Sequence, residues 1–215
     1  MIARNLYETL VDRLLMLFLI LESQRQGWRI TGKVKLLKLL YLSESRMVKD
    51  ELKGFNYSFY RWDFGPMSNE ALQDLDWLSA NNLLKQTRYA IAITSRGRDL
   101  VKSSSPLLEH NEGFLEYVRR VIREFGPYTG KRIKTVVYDT PMMGEKKLIR
   151  KTKHGEELLR KMPTKQAKKR FLVDEEWIET LSILMDKEAQ GSLKRGMADA
   201  KRGKVTKYES PKMIY

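Results

Sequence analysis

LQDLDWLSANNLLKQTRYAIAITSRGRDLV, residues 72–101, decides the reading of this chain. Leu72, Leu75 and Leu78 recur at helical spacing and run into an Asn81-Asn82 turn. Two short arms follow, about Leu84–Arg88 and Tyr89–Thr94; in the second, Ile91 and Ile93 alternate with smaller residues as in a half-buried strand. Thr94 or Ser95 then offers a side-chain oxygen to the free N–H groups of a helix through Val101. Helix, hairpin, strand and capped helix in this order form the second half of a winged helix. That layout is a scaffold for recognising macromolecules and lacks a catalytic cleft.

Towards the N-terminus, Leu6, Leu10, Leu14, Leu17, Phe18 and Leu21 predict a helix over residues 4–25, stopped by Gly27. A second helix is expected over Lys33–Lys49, with Val34, Leu37, Leu40, Tyr41 and Val48 inward and Lys33, Lys35 and Lys38 near one end. Tyr57–Trp62 reads as a short strand, broken by Gly65-Pro66; Pro66 and an N-cap at Ser68 open the helix that contains Leu72. Towards the C-terminus, Ser103–Pro106 reads as a linker, and helices are expected over residues 111–125 and 129–138. Met142–Arg170 has few apolar anchors and reads as loosely packed helix or a segment that orders on binding. Residues 174–189 are strongly helical, Ser192–Lys201 repeats that style in miniature, and Lys204–Tyr208 alternates like an edge strand. The expected fold is mainly α with a small β-hairpin: a winged-helix-like helical body over residues 1–140, a basic connecting segment over 141–170, and a helical, partner-binding tail over 171–215.

The chain has 215 residues, of which 42% are hydrophobic, enough for a sizeable core. It has no Cys, which excludes disulfides, thiol catalysis and Cys-based zinc sites and suits a reducing cytoplasm. The longest apolar run, Leu14–Leu21, is eight residues and too short to span a bilayer; no signal-peptide pattern is present, so a cytoplasmic protein with no membrane association is expected. The net charge of +14 is uneven: residues 129–170 hold 14 basic and 4 acidic groups, net +10, while residues 171–215 hold 8 of each. Such a block can attract polyanions through phosphate contacts, or simply form a solvated, self-repelling surface.

Lys35-Leu36-Leu37-Lys38-Leu39-Leu40-Tyr41-Leu42, then Phe59-Tyr60-Arg61-Trp62-Asp63-Phe64-Gly65-Pro66-Met67-Ser68, then Ile93-Thr94-Ser95-Arg96-Gly97 resembles the Panacea, or SocA-like, antitoxin family over roughly residues 30–140. Met67 stands where that pattern usually has Val. The resemblance implies a mostly helical protein that neutralises a partner toxin by binding it, and marks Lys38, Tyr41, Trp62, Gly65 and Pro66 as family-motif positions of structural role. Residues 186–205, DKEAQGSLKRGMADAKRGKV, are similar to the tails of small antitoxins that pair with RelE-type ribonuclease toxins. A short amphipathic helix followed by an edge-like strand can wrap a partner and extend its sheet.

The toxin-facing residues expected from the tail are Trp177, Leu181, Leu184, Leu193, Met197 and Val205 as apolar anchors, with Arg195, Lys201 and Arg202 for acidic groups. The alternative reading is a winged-helix DNA-binding regulator, able to repress its own operon. Its phosphate contacts would be Lys35, Lys38, Arg88, Arg96, Arg98, Lys131 and Arg132. A cognate toxin, and on the alternative reading DNA, are the expected partners, with a homodimer open. No enzymatic activity, cofactor or metal is expected: His110 and His154 lack partners at ligand spacing, and no phosphate-cradling glycine loop or nucleophile motif occurs.

Overall fold

A computed structural model describes residues 4–142 and 146–204. The fold is mainly helical with small sheets, as the periodicities predict. The first helix, α1 (Leu6–Arg25), opens on a capping box in which Asn5 and Glu8 satisfy each other's backbone N–H groups. The sequence predicts one apolar stripe here; instead α1 is buried nearly all round, Val11, Leu15, Met16, Leu19 and Ile20 included, because it is the central pillar of the core. Leu6, expected inward, is 60% exposed in the first turn.

The second helix, α2 (Lys33–Lys49), leads into a two-residue strand β1 (Leu52–Lys53) and a hairpin of β2 (Phe59–Trp62) and β3 (Gly65–Met67). Gly65-Pro66, read as a strand breaker, is itself strand: Pro66 pairs opposite Arg61. It is tolerated because β3 is the edge of a β3-β2-β6 sheet, where a missing N–H costs no ladder bond. Gly65 adopts φ +92°, the left-handed conformation the Trp62–Gly65 turn needs.

Ser68 caps α3 (Asn69–Ala80) as expected, accepting from Ala71 N. Strands β4 (Leu84–Gln86) and β5 (Ile91–Ile93) form the hairpin with Leu84 opposite Ile93, and Ile30 bridges to Ile91 on its other side. Thr94 caps α4 (Ser95–Ser103) through a bond to Gly97 N. A Cβ at Gly97 would lie 2.3 Å from the Leu83 carbonyl oxygen, so the glycine lets α4 seat against the hairpin. The Ser103–Pro106 linker is absent: Ser104 is fully buried, and α4 turns directly into α5 (Ser105–His110), with Pro106 in its first turn. Helices α6 (Glu112–Phe125) and α7 (Gly130–Tyr138) complete the shell; α6 packs on α1 and α2, and α7 on α2 and β3.

The basic segment 141–170 is a correction to the expected loose connector. Its strand β6 (Glu157–Leu159) joins the sheet antiparallel to β2, and β7 (Lys169–Arg170) pairs with β1 in parallel. Ile149, Leu158, Leu159 and Met162 are buried, as is Phe171 just beyond. The few apolar residues are the anchors; most of the lysines and arginines between them face out, while Lys161 turns in to pair with Glu8 at 2.8 Å. No break in packing separates this segment from the body expected to end at residue 140.

Charged groups are also buried. Arg4 donates to both Asp12 (2.7 Å) and Asp74 (2.6 Å), Arg13 adds a 2.9 Å bond to Asp74, and the Asn56 backbone and side chain bond Asp12. Complete burial, opposed by Arg4 and reinforced by nearby Asp74, pushes the Asp12 carboxyl up to about 7. Glu44 is completely buried with no side-chain hydrogen bond; burial, then the charge of Asp12, raises its carboxyl well above the ordinary value. A carboxyl raised in the fold contributes stability fully present below its unfolded value, near 4.3, and lost as pH rises through the folded value. Glu44→Gln is therefore expected to gain stability relative to the natural protein as pH rises from about 5 to 8, by up to ~1.4 kcal/mol per pH unit until the folded value is passed. Thermal unfolding at both ends of that range checks this; a pH-independent difference between the two proteins contradicts it.

Candidate functional site

The C-terminal tail divides in two. Helix α8 (Glu175–Met185) is capped by Asp174, which accepts from Trp177 N at 2.8 Å. It lies against α1, with Leu181 and Met185 fully buried and Trp177, Ile178 and Leu184 packed on the core. Its C-terminus is clamped by the body. Arg96 donates to the Leu184 and Met185 carbonyls (2.9 and 3.3 Å) and to the Asn81 carbonyl, and Asn81 Oδ1 accepts from Lys187 N at 2.9 Å. A cation on the last carbonyls of a helix satisfies orphan acceptors and opposes the helix dipole. Three of the expected toxin-facing residues, Trp177, Leu181 and Leu184, are thereby corrected: they hold the tail to its own body.

Helix α9 (Lys187–Lys201) differs. Asp186 caps it, accepting from Glu188 N and Ala189 N at 2.7 and 2.9 Å, but none of its residues is buried. Leu193 is 49% and Met197 55% exposed. With Ala189 and Ala200 they share one face, at spacings of three and four. Arg195 bonds only its neighbour Ser192 within this helix, and Lys201 and Arg202 are exposed. An isolated helix of this length is marginal in water, and Gly191 and Gly196 weaken it further. Val205 lies outside the described residues, as does most of the expected edge strand.

The cations expected to meet DNA are scattered. Lys35 is buried and donates to the Arg29 and Gly126 carbonyls (2.8 and 2.7 Å). Lys38 is buried and donates to the Pro66 carbonyl at 2.8 Å. Both are corrected from phosphate contacts to interior ties, and the second joins α2 to the hairpin: Lys38 donates to the Pro66 carbonyl, and the Lys38 stem passes close to Gly65. Tyr41 is buried edge-on to Phe59, whereas Trp62 is 43% exposed, with the His154 ring tilted against it at 4.0 Å. Arg96 is committed to clamping α8. Arg88 and Arg98 remain exposed at the hairpin and α4, and Lys131 and Arg132 on α7. Helix α3, which would enter a DNA groove in a winged helix, has no Lys or Arg and carries Glu70, Asp74 and Asp76.

Sequence reading missed Asn81 and Arg96 as the seat of the tail. The Asn81-Asn82 pair signalled a turn, which it forms, but nothing local reveals that its side chain reaches Lys187.

No family model matches the chain, and comparison with curated proteins and solved structures likewise finds no match. Among the described residues no helix is long and apolar enough to cross a membrane.

Proposed function

We propose that this chain is an antitoxin whose helical body presents α9 as a docking helix for a partner toxin. The observation that carries the reading is the contrast within the tail: α8 is closed against the body while α9 offers Leu193 and Met197 with no buried residue of its own. A helix with one apolar face flanked by Lys194, Arg195, Lys201 and Arg202 suits a groove rimmed by acidic groups, and ordering on the partner would bury the stripe. The resemblance of residues 30–140 and 186–205 to antitoxins supplies the class of partner. The test is co-expression with the product of the neighbouring gene: this protein should restore growth and co-purify with that product. Unrelieved toxicity, or a neighbour harmless when expressed alone, would count against the reading.

The DNA-binding alternative has one observation in its favour. The order of α1, the Ile30 bridge, α2, α3 and the β4–β5 hairpin supports a winged-helix reading of the body. The absence of any cation on α3 speaks against groove recognition, since phosphate contacts dominate such affinity. A gel-shift titration in salt separates the two: sequence preference retained at high salt would favour a regulator.

A further inference from the structure

Three cations converge without a counter-ion where α2, the β2–β3 hairpin and α7 meet. Arg61, on β2, places its guanidinium 4.6 Å from the centre of the Tyr138 ring. Lys134, one turn earlier on α7, sits 4.8 Å from the Phe64 ring and 5.3 Å from the Tyr138 ring. Beneath them lies the Lys38 ammonium, which burial and the charges of Lys134 and Arg61 push down to about 7. Among the described residues none of the three has a carboxylate within ion-pair distance: Asp63 faces His154 and Asp139 faces Arg150. Arg61 also leaves Nε and Nη1 buried with no hydrogen-bond partner. Unsatisfied donors on a cation are costly, and an anion that bonds them recovers that cost. Both atoms face protein in the free chain, so capture of an anion includes a side-chain rotation that turns this edge outward.

An aromatic ring stands beside this charge. Phe64 is 57% exposed at the tip of the hairpin, with only the Lys134 ammonium over it. On α7, Lys131, Lys134 and Tyr138 share one face at spacings of three and four, extending the cationic strip away from the ring. Two exposed acidic side chains are close: Asp139 is paired with Arg150, while Asp63 has His154 beside it, a pair that is ionic only when the imidazole is protonated. The surrounding basic block, net +10 over residues 129–170, supplies the long-range field. Trp62 points to the other face of β2, where the tilted His154 ring already packs against it.

We propose that this corner is a binding site for single-stranded nucleic acid, with a backbone phosphate held by Arg61 and Lys134 and a base stacked on Phe64. A cation pair beside a free ring at a projecting tip suits a splayed strand, whose bases expose their faces; in a duplex those faces are covered. The site is separate from α9 and from the β4–β5 hairpin, and its success or failure leaves the proposed toxin binding untouched.

Fluorescence anisotropy with labelled oligo-dT and oligo-U of about ten nucleotides, titrated with the full chain, tests it. Phe64→Ala is expected to weaken binding at least fivefold, as loss of one base stack does. Lys134→Gln, a partly exposed position that should not disturb folding, is expected to weaken it similarly and to flatten the salt dependence by about 0.7 in log Kd per log salt. Arg88→Ala, on the other hairpin, should change nothing. Comparing the two oligonucleotides says whether RNA or DNA is preferred. The proposal is overturned if Phe64→Ala and Lys134→Gln bind as the natural protein does, if a duplex of equal length binds as tightly as the strands, or if a polyglutamate peptide competes with equal efficiency.

Discussion

Arg4→Ala should lower stability by about 3–5 kcal/mol, the largest effect expected of any single substitution in the body. Arg4 is the shared partner of Asp12 and Asp74, two carboxylates that are 0% and 1% exposed in their side chains. Removing it leaves two buried acids with Arg13, Asn56 and Tyr57 as their remaining partners, and only Arg13 carries charge. The cost comes from uncompensated charge more than from the lost bond. Arg4→Ala combined with Asp12→Asn should therefore be less destabilised than the two single changes sum to. Urea midpoints of the four proteins measure this; strict additivity would show that Arg4 acts by packing alone.

Replacing Leu193 and Met197 together by Asp should abolish toxin neutralisation while leaving thermal stability within about 0.5 kcal/mol of the natural protein. Both side chains are about half exposed and α9 buries nothing, so the free protein loses no packing. In the proposed complex, two carboxylates would have to enter the apolar groove that the Leu193–Met197 face implies, at a cost of several kcal/mol. Leu181→Ala is the converse control. That side chain is fully buried in the body, so it should cost about 2–5 kcal/mol of stability. Growth protection assayed beside melting temperature distinguishes them. If Leu193→Asp/Met197→Asp protects fully, α9 does not contact the toxin.

Periodicity and capping made most helices legible. Ser68 caps the helix it was expected to open, and Thr94, one of two candidates, caps the next, because these short oxygen-bearing side chains reach the first-turn N–H groups where the chain enters a helix. What lies between distant residues was hidden. The stripes of α8 and α9 look alike in sequence, yet Leu181 and Met185 are buried against the body while Leu193 and Met197 stay about half exposed, and the clamp from Asn81 and Arg96, far away in the chain, reaches only the first turn of α9, at Lys187 and Gln190. Lys35 and Lys38 read as surface charge because a lysine is seldom interior; they are inside because carbonyls at Arg29, Gly126 and Pro66 accept from them. The basic stretch after Pro141 read as loose since its strands are two or three residues long, too short for an alternation signal, and ordered by pairing with β1 and β2.

Hydrogen exchange of the free protein and of its complex with the neighbouring gene's product tests the docking role of α9 most directly. Alone, amides of Lys187–Lys201 should exchange rapidly while those of α1 and α8 are protected, as their burial requires. With the partner bound, protection should rise across Lys187–Lys201. Protection that rises elsewhere, on the β4–β5 hairpin for instance, with α9 still exchanging freely, would contradict the account.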